Sequence, residues 1–454
     1  MAYICEQLLF HQNSNTLFIY KKFVWLGIDD TDSKKGMCTT YVATEVIKAI
    51  QRKGFNIIGY PRLVRLNPNI PWKTRGNGAI SIQFGKGGGK KKKIGDVDGD
   101  IYSFTKKNSD AGIEEIKEEV DSIISSLAEM EDSKTHPGVV FFKKKPPYYI
   151  YKKGVTEILS IKEVKKIIAK MDASFLSYKK GRGLIGATAA VAWRPKDKTY
   201  EILTYRNGGE RWVDEESVKE VDIKCPHTFD NYDYENEHIQ IMPHSPCPIL
   251  YGIRGDDVDE LKNAMKIVIS SKIKRWMLFE TNQGTDEHLK KKRIGDVKPY
   301  ESVIIKGKVW KEPKVIEGGH VIFSIRNGQE MECAAYEPTK NFRKIVQKLV
   351  KGDEVTVYGG VRKKPLTINV EKIKVCKLAN IRKKKENPLC KCGKHMKSLG
   401  RGKGYRCIKC GERAKEEDAI FEEVKREIKE GWYEVPVVAR RHLAKPLKRM
   451  FTQI

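Results

Sequence analysis

The chain contains no run of about 18 uncharged apolar residues, which excludes a membrane-spanning helix. It also lacks the G-x-x-x-x-G-K-[ST] phosphate loop and the catalytic loop of protein kinases, so any nucleotide chemistry belongs to neither of those types. Acid is scarce: 59 Asp and Glu stand against 87 Lys and Arg, a formal charge of +28 on 454 residues. Such an excess suits a polyanionic partner, because each neutralised phosphate releases condensed counterions, although a heavily charged soluble surface would look the same. A disulfide framework is disfavoured by placement: of ten cysteines, four (Cys390, Cys392, Cys407, Cys410) lie close together and the other six are scattered. That pattern fits a metal clip in a reducing cytoplasm.

Residues 1–23 have neither a basic n-region nor a steady hydrophobic period, and are expected to be a disordered leader. From residue 24 the pattern predicts a strand (24–28), a polar turn (29–38), a helix (39–53) and strands near 55–66 and 79–84. The Gly-Lys tract 85–93 reads as a mobile basic loop, followed by a helix over 111–131. A composition break at 143–147 marks a boundary. Beyond it, 160–171 reads as helix, 185–193 and 201–205 as extended, and 249–280 as strand, helix and strand. Two α/β sheets are expected up to about residue 290. Residues 302–376 read as three strands, a helix and two strands, the order of an OB-fold or another small five-stranded barrel.

Four thiolates from Cys390-x-Cys392 and Cys407-x-x-Cys410 can close a tetrahedral zinc site, with Gly393 and Gly411 permitting the knuckle turns. The first pair has a one-residue gap, which leaves His395 as an alternative ligand. Gly27-Ile28-Asp29-Asp30-Thr31-Asp32 ends a buried strand in three carboxylates. Their repulsion calls for a hard cation such as magnesium, which is normally shared with a nucleotide's phosphates. Thr39 and Thr40, after Gly36, open a helix, where a hydroxyl either contacts or accepts a phosphoryl group or simply caps the helix. Stretches holding Arg75, Asn77 and Gly78, Gly181-Arg182-Gly183, Arg254 and Asp256, and residues 280–286 lie at ends of expected strands, where ligands of open sheets gather, though each would also serve as an ordinary turn. Basic runs at 90–93, Lys290-Lys291-Lys292-Arg293 and 383–385 point to RNA. So does a tail in which Arg440, Arg441, Lys445, Lys448 and Arg449 would flank one amphipathic helix.

The stretches GIDDTDSKKGMCTTY (27–41), PRLVRLNPNIPWKTRGNGA (61–79), ILYGIRGD (249–256), FETNQGTDEH (279–288) and ARRHLAKPL (439–447) occur in order along nearly the whole chain. Together they resemble the archaeal tRNA-isoleucine 2-agmatinylcytidine synthetase family. The resemblance implies an ATP-dependent ligase that joins agmatine to the wobble cytidine of the CAU-anticodon isoleucine tRNA. In that chemistry the cytidine is phosphorylated at its carbonyl-bearing carbon, and ATP goes to AMP and two phosphates.

The implied organisation is a multidomain α/β and α+β chain. It comprises a kinase-like ATP-binding domain (24–150), a ferredoxin-like domain (151–245), a strand-helix-strand unit (246–295) belonging to one of these two, an OB-fold (302–378), a zinc ribbon (388–415) and basic C-terminal helices (416–454). By motif, Asp29, Asp30 and Asp32 would hold magnesium and ATP, Gly27, Gly36, Thr40, Arg75, Asn77, Gly78, Arg254 and Asp256 would join the ATP site, and Thr39 matches the family's autophosphorylated threonine. A dicationic amine needs a carboxylate for its guanidinium, and Asp222, Asp256 and Asp286 are the candidates. A cytoplasmic monomer is expected. A non-catalytic single-strand binder built on the barrel and ribbon is the rival, and attachment of lysine instead of agmatine is a second.

Overall fold

The computed structural model describes residues 24–109 and 112–451; the expected leader at 1–23 lies outside them. Strand Val24–Asp29 is almost wholly apolar and lies between Gly138–Phe142 and Gly78–Asp96, antiparallel to both. Buried on both faces, it reads as a continuous hydrophobic run. The sheet runs on through Arg62–Arg65, Arg275–Thr281, Thr199–Tyr205, Ile249–Gly255 and Thr228–Phe229. The two expected sheets are therefore one sheet of 11 strands. Strands Ile249–Gly255 and Arg275–Thr281, with helix Val258–Ile267 between them, flank Thr199–Tyr205 on either side.

Helix Thr39–Arg52 covers one face of this sheet with Val42, Val46, Ile47 and Ile50. The other face is covered by helix Gly183–Ala192, over a segment expected to be extended. Every residue of that helix except Ile185 is buried, so it carries no polar stripe and its apolar run is indistinguishable from a strand by periodicity. Its small residues allow close approach: a Cβ on Gly27 would fall 2.4 Å from the Ala187 carbonyl oxygen. The Gly-Lys tract is likewise corrected. It continues strand Gly78–Asp96 and pairs with Asp100–Ser109, its backbone satisfied by the partner and Lys91 lying over the Tyr102 ring.

Strands Ser302–Ile316, His320–Asn327, Gln329–Ala335, Thr367–Lys377 and Glu354–Val361 form a closed five-strand barrel, because the first also pairs with the last. Helix Phe342–Val346 falls between the third and fourth strands of the chain order. Asn67 donates to the Tyr300 carbonyl at 2.9 Å and Asn69 to that of Glu301 at 2.9 Å, joining barrel to sheet. Lys372 is 2% exposed and reaches Asp286 at 2.9 Å.

The expected basic helices at the C-terminal end are corrected too. Strands at Ile420–Glu423 and Gly431–Glu434, 3-10 turns at Glu416–Asp418 and Val437–Ala439 and a five-residue helix at Leu447–Phe451 replace them. Pro436 and Pro446 interrupt helical hydrogen bonding, and the cations between them pair with acids on several different elements. Among the described residues, no helix is long and apolar enough to cross a membrane.

Candidate active site and metal centre

The polar turn leaves the buried strand at Asp29 and enters a cleft of about 340 Å³. Asp29 packs against Gly186, where a Cβ would lie 1.9 Å from its Oδ2. Asp30 adopts a left-handed backbone (φ 61°), which Asp tolerates better than most residues. Asp30 accepts from Arg182 Nη2 at 3.2 Å and from the His136 backbone N–H at 3.1 Å. Asp32 accepts from the Thr74 hydroxyl at 3.1 Å and from Arg75 Nε at 2.7 Å.

Asp29, Asp30 and Asp32 do not offer one oxygen each within 4.8 Å of one another. Among the described residues, the four clustered cysteines are the one set of three or more His, Cys, Asp or Glu whose ligand atoms lie within 4.8 Å of each other. Two arginines offset the repulsion that a cation was expected to relieve. Asp29 has no such partner: burial, then the charges of Asp30 and Asp32, push its pKa well above the usual carboxylate range. Burial also raises Asp30, against the pull of Arg182.

Thr39 and Thr40 line the same cleft at the start of their helix. The N-cap position is held by Cys38, so neither hydroxyl is needed for capping. Thr39 Oγ1 accepts from Thr31 at 3.1 Å, and the free N–H groups of the first helical turn favour an anion beside them.

The opposite wall is cationic. Arg65, Lys73, Arg75, Arg254 and His442 line it, together with Asn77 and Gly78. Arg65 Nε donates to Gln283 at 3.2 Å, and Arg254 Nε to Glu201 at 3.2 Å. Burial lowers the Arg65 pKa and, with the nearby Arg441 charge, brings Lys73 to about 8.

Several expected site residues lie elsewhere. Gly27 sits beneath helix Gly183–Ala192, and Gly36 lies in the turn beside Glu129. Asp256 is clamped by Arg449 Nε at 2.8 Å, Asp286 by Lys372, and Asp222 accepts from Asn231 at 2.9 Å. None of the three expected amine ligands lines the cleft; the acids that do include Glu157 and Glu201. Arg65, Gly186, Glu201, the loop 240–247 and His442 were not singled out from the sequence. Arg65 and His442 stood inside resembling stretches, whereas Gly186 and Glu201 carry no local signal because strand pairing and helix packing bring them in.

Among the basic residues, Lys290 pairs with Glu157, Lys292 with Glu301 at 2.6 Å, Arg440 with Asp230 and Glu434, Arg441 with Glu371 at 3.1 Å, and Lys445 with Asp197 at 2.9 Å. Lys448 donates to the Thr228 carbonyl at 2.7 Å. Lys291 lies exposed on a short strand, and Arg293 precedes a 3-10 turn. Much of the charge expected to face RNA therefore ties the tail and barrel to the sheet.

The cysteine cluster is a second centre. Cys390 and Cys410 place their sulfurs 3.3 Å apart, Cys392 and Cys407 3.5 Å apart. Gly393 (φ 78°) and Gly411 (φ 77°) supply the left-handed turns after each pair. Backbone N–H groups, chiefly that of Cys410, hold the Cys407 thiol down to about 6, favouring the thiolate that binds metal. His395 lies outside the cluster, its Nδ1 3.3 Å from the Asn387 carbonyl. Four sulfurs without an open position suit a structural zinc.

Fold and site together define a multidomain α/β protein with a closed five-strand barrel, a four-cysteine ribbon and a cleft whose basic wall and helix start suit a phosphorylated ligand. Family profiles for the TiaS TCKD domain, the TiaS FLD domain and the TiaS C-terminal zinc ribbon domain match residues 25–180, 181–288 and 387–428. The isoleucine-tRNA 2-agmatinylcytidine synthetase TiaS of Methanocaldococcus jannaschii is 44% identical over 440 residues, covering 94% of this chain and 98% of its own. That of Archaeoglobus fulgidus is 44% identical over 441 residues, covering 94% and 97%. Among solved structures, a complex of TiaS with its isoleucine tRNA and ATP superimposes with a TM-score of 0.80 at 41% identity, covering 95% of this chain and 98% of that one. A complex of TiaS with the same tRNA, AMPCPP and agmatine gives 0.79 at 40%, with the same coverage. The chain belongs to the TiaS family.

Proposed function

We propose that the protein is an ATP-dependent ligase that joins agmatine to the wobble cytidine of the CAU-anticodon isoleucine tRNA, yielding 2-agmatinylcytidine. One observation carries the reading most: a single cleft holds Asp29, Asp30 and Asp32, the helix-opening Thr39 and a wall of arginines, in a chain whose relatives are named for this reaction. ATP phosphates would lie against the helix start and the cationic wall, where N–H groups and guanidinium groups match their charge.

Magnesium suits the oxygen donors of Asp29, Asp30 and Asp32, and the elevated pKa of unpaired Asp29 is a cost that a divalent cation would remove. When bound, such an ion would neutralise charge on the phosphates. Zinc at Cys390, Cys392, Cys407 and Cys410 would hold the ribbon's fold.

The chemistry follows from leaving-group strength. Cytosine's carbonyl oxygen departs poorly, but a phosphate ester of it departs readily. The amine forms the new C–N bond, the C–O bond breaks and phosphate leaves. Thr39 stands where a phosphoryl group could be accepted or passed on. The guanidinium of agmatine would take a carboxylate of the cleft, with Glu157 and Glu201 preferred over Asp222, Asp256 and Asp286 because they line it. The anticodon base must leave its stack to enter. The barrel would guide it, with exposed Trp310 flanked by Arg326 and Lys351 at 4.4 and 4.7 Å from its ring.

A protein that only held single strands would have no use for a buried acidic turn opposite an arginine wall. Mass spectrometry of the isoleucine tRNA after incubation with protein, ATP and agmatine tests the proposal. A wobble cytidine heavier by agmatine less water is expected, and an unchanged nucleotide would refute it.

A further inference from the structure

The cationic wall contains one residue that comes from the far end of the chain. His442 reaches the cleft because the tail crosses back over the sheet, with Gly284 and Asp286 donating backbone hydrogen bonds to the His442 and Leu443 carbonyls at 2.8 Å each. Its Nε2 lies where a Cβ on Gly76 would come within 3.4 Å, so the ring packs on the glycine-bearing turn that also holds Lys73 and Arg75. Among the described residues the ring makes no hydrogen bond, although it lines the cleft.

The groups facing it are overwhelmingly positive. Arg65 approaches from strand Arg62–Arg65, Arg254 from strand Ile249–Gly255 and Lys73 from the turn, while Arg441 precedes it on its own segment. Glu201 is the nearby acid, and it is already engaged by Arg254 at 3.2 Å and by Gln283 at 2.6 Å. Asp32 and the Cys38 thiol act on Arg65 from the other side of the cleft. Arg65 makes no ion pair among the described residues, and a half-buried guanidinium without a paired carboxylate leaves room for an anion. The charge of Arg65 first, then burial, Arg254 and Lys73, keep the imidazole neutral far below its ordinary range.

We propose that His442 is a proton-accepting member of the phosphate-binding wall: its unpartnered ring takes up a proton when a tetrahedral oxyanion settles among Arg65, Arg254 and Lys73. The anion reverses the local field, since a negative group within a few ångströms favours the charged imidazole that three cations had suppressed. A proton donor thus exists beside the phosphate while it is bound and is lost when it leaves. The inference rests on the reading that this cleft receives phosphate, and names a residue that the acidic turn does not supply.

The test uses the full chain and sulfate, an oxyanion that does not itself titrate near neutral pH. The His442 ring resonance, assigned by its loss in His442→Gln, is followed by NMR against pH with and without sulfate. Its pKa should rise by about one unit or more with sulfate. In parallel, sulfate affinity of the wild type should tighten as pH falls from 7 through the sulfate-bound pKa of the ring, by the factor that the measured shift sets, and the variant should lose that extra slope. The remaining slope belongs to groups common to both proteins. A residue with only a packing role would weaken binding equally at every pH. A ring pKa that ignores sulfate, or equal slopes in wild type and variant, overturns the proposal. If His442→Gln fails to fold, His442→Asn serves for assignment and comparison. Since the measurement needs no tRNA or agmatine, its failure leaves the ligase reading intact, and an unmodified tRNA leaves this one intact.

Discussion

The cleft and the cysteine ribbon are held together by opposite strategies. The cleft draws Asp29, Arg75, Arg182, Glu201, Arg254 and His442 from segments spread over the chain, and Arg75, Arg182 and Arg254 are each answered there by a carboxylate. The ribbon is local: its apolar cluster is Cys390, Met396, Tyr405, Cys407 and Ala419, too small to repay the ordering of some forty residues. One region is built by burial and ion pairs and should persist empty, whereas the other depends on the energy of metal binding.

The sharpest way to break this contrast is at the acidic turn. Asp30→Ala leaves Arg182 uncompensated at the cleft, and agmatine conjugation should fall by about 10²-fold or more, while tRNA affinity measured by gel shift stays within a few fold. Normal AMP release by this variant would remove the turn from the chemistry. Next in size is Arg449→Ala. Its guanidinium, 3% exposed, holds Asp256 at 2.7 Å and Asp197 at 3.0 Å. Losing it should destabilise the sheet end by about 3 kcal/mol, seen as a lower midpoint in urea. An unchanged midpoint would mean that the tail is an ornament and not part of the cleft's frame.

Removing the metal sharpens the other side. Cys407→Ser, or chelation, should cost about tenfold in tRNA affinity with tRNA-free ATP hydrolysis unchanged. Equal loss of both would show the two regions to be one cooperative unit.

The smallest effect concerns acid. Burial opposes the Glu371 carboxylate, but Arg441, His288 and Lys372 outweigh it and hold it at about 2. Because the folded value lies below the unfolded one, this contribution is complete above pH 4.5 and is lost as pH falls through about 2. Glu371→Gln should therefore flatten the acid limb of stability across that window, measured by urea midpoints at successive pH values.

The ribbon and barrel were legible from residue order because their determinants are local: cysteine spacing, glycine knuckles and strand alternation. The acidic turn was legible as a composition, but its geometry was not. Nothing in the letters Asp29-Asp30-Thr31-Asp32 shows that Asp30 takes a left-handed backbone, or that Arg182, some 150 positions away, answers its carboxylate. Helix Gly183–Ala192 was misread because total burial erases periodicity. The tail departs for a different reason: its three-to-four spacing of cations imitates a helix face, while Arg440, Arg441 and Arg449 pair with acids on different elements, Lys445 shares Asp197 with Arg449, and Lys448 donates to the Thr228 carbonyl.

The path of the tail has a bearing on synthesis. The ribosome makes the carboxylate-bearing turn first and the imidazole-bearing segment hundreds of residues later, so a nascent chain, or a fragment ending before Arg440, has Arg65, Lys73, Arg75 and Arg254 but not the imidazole that completes their wall.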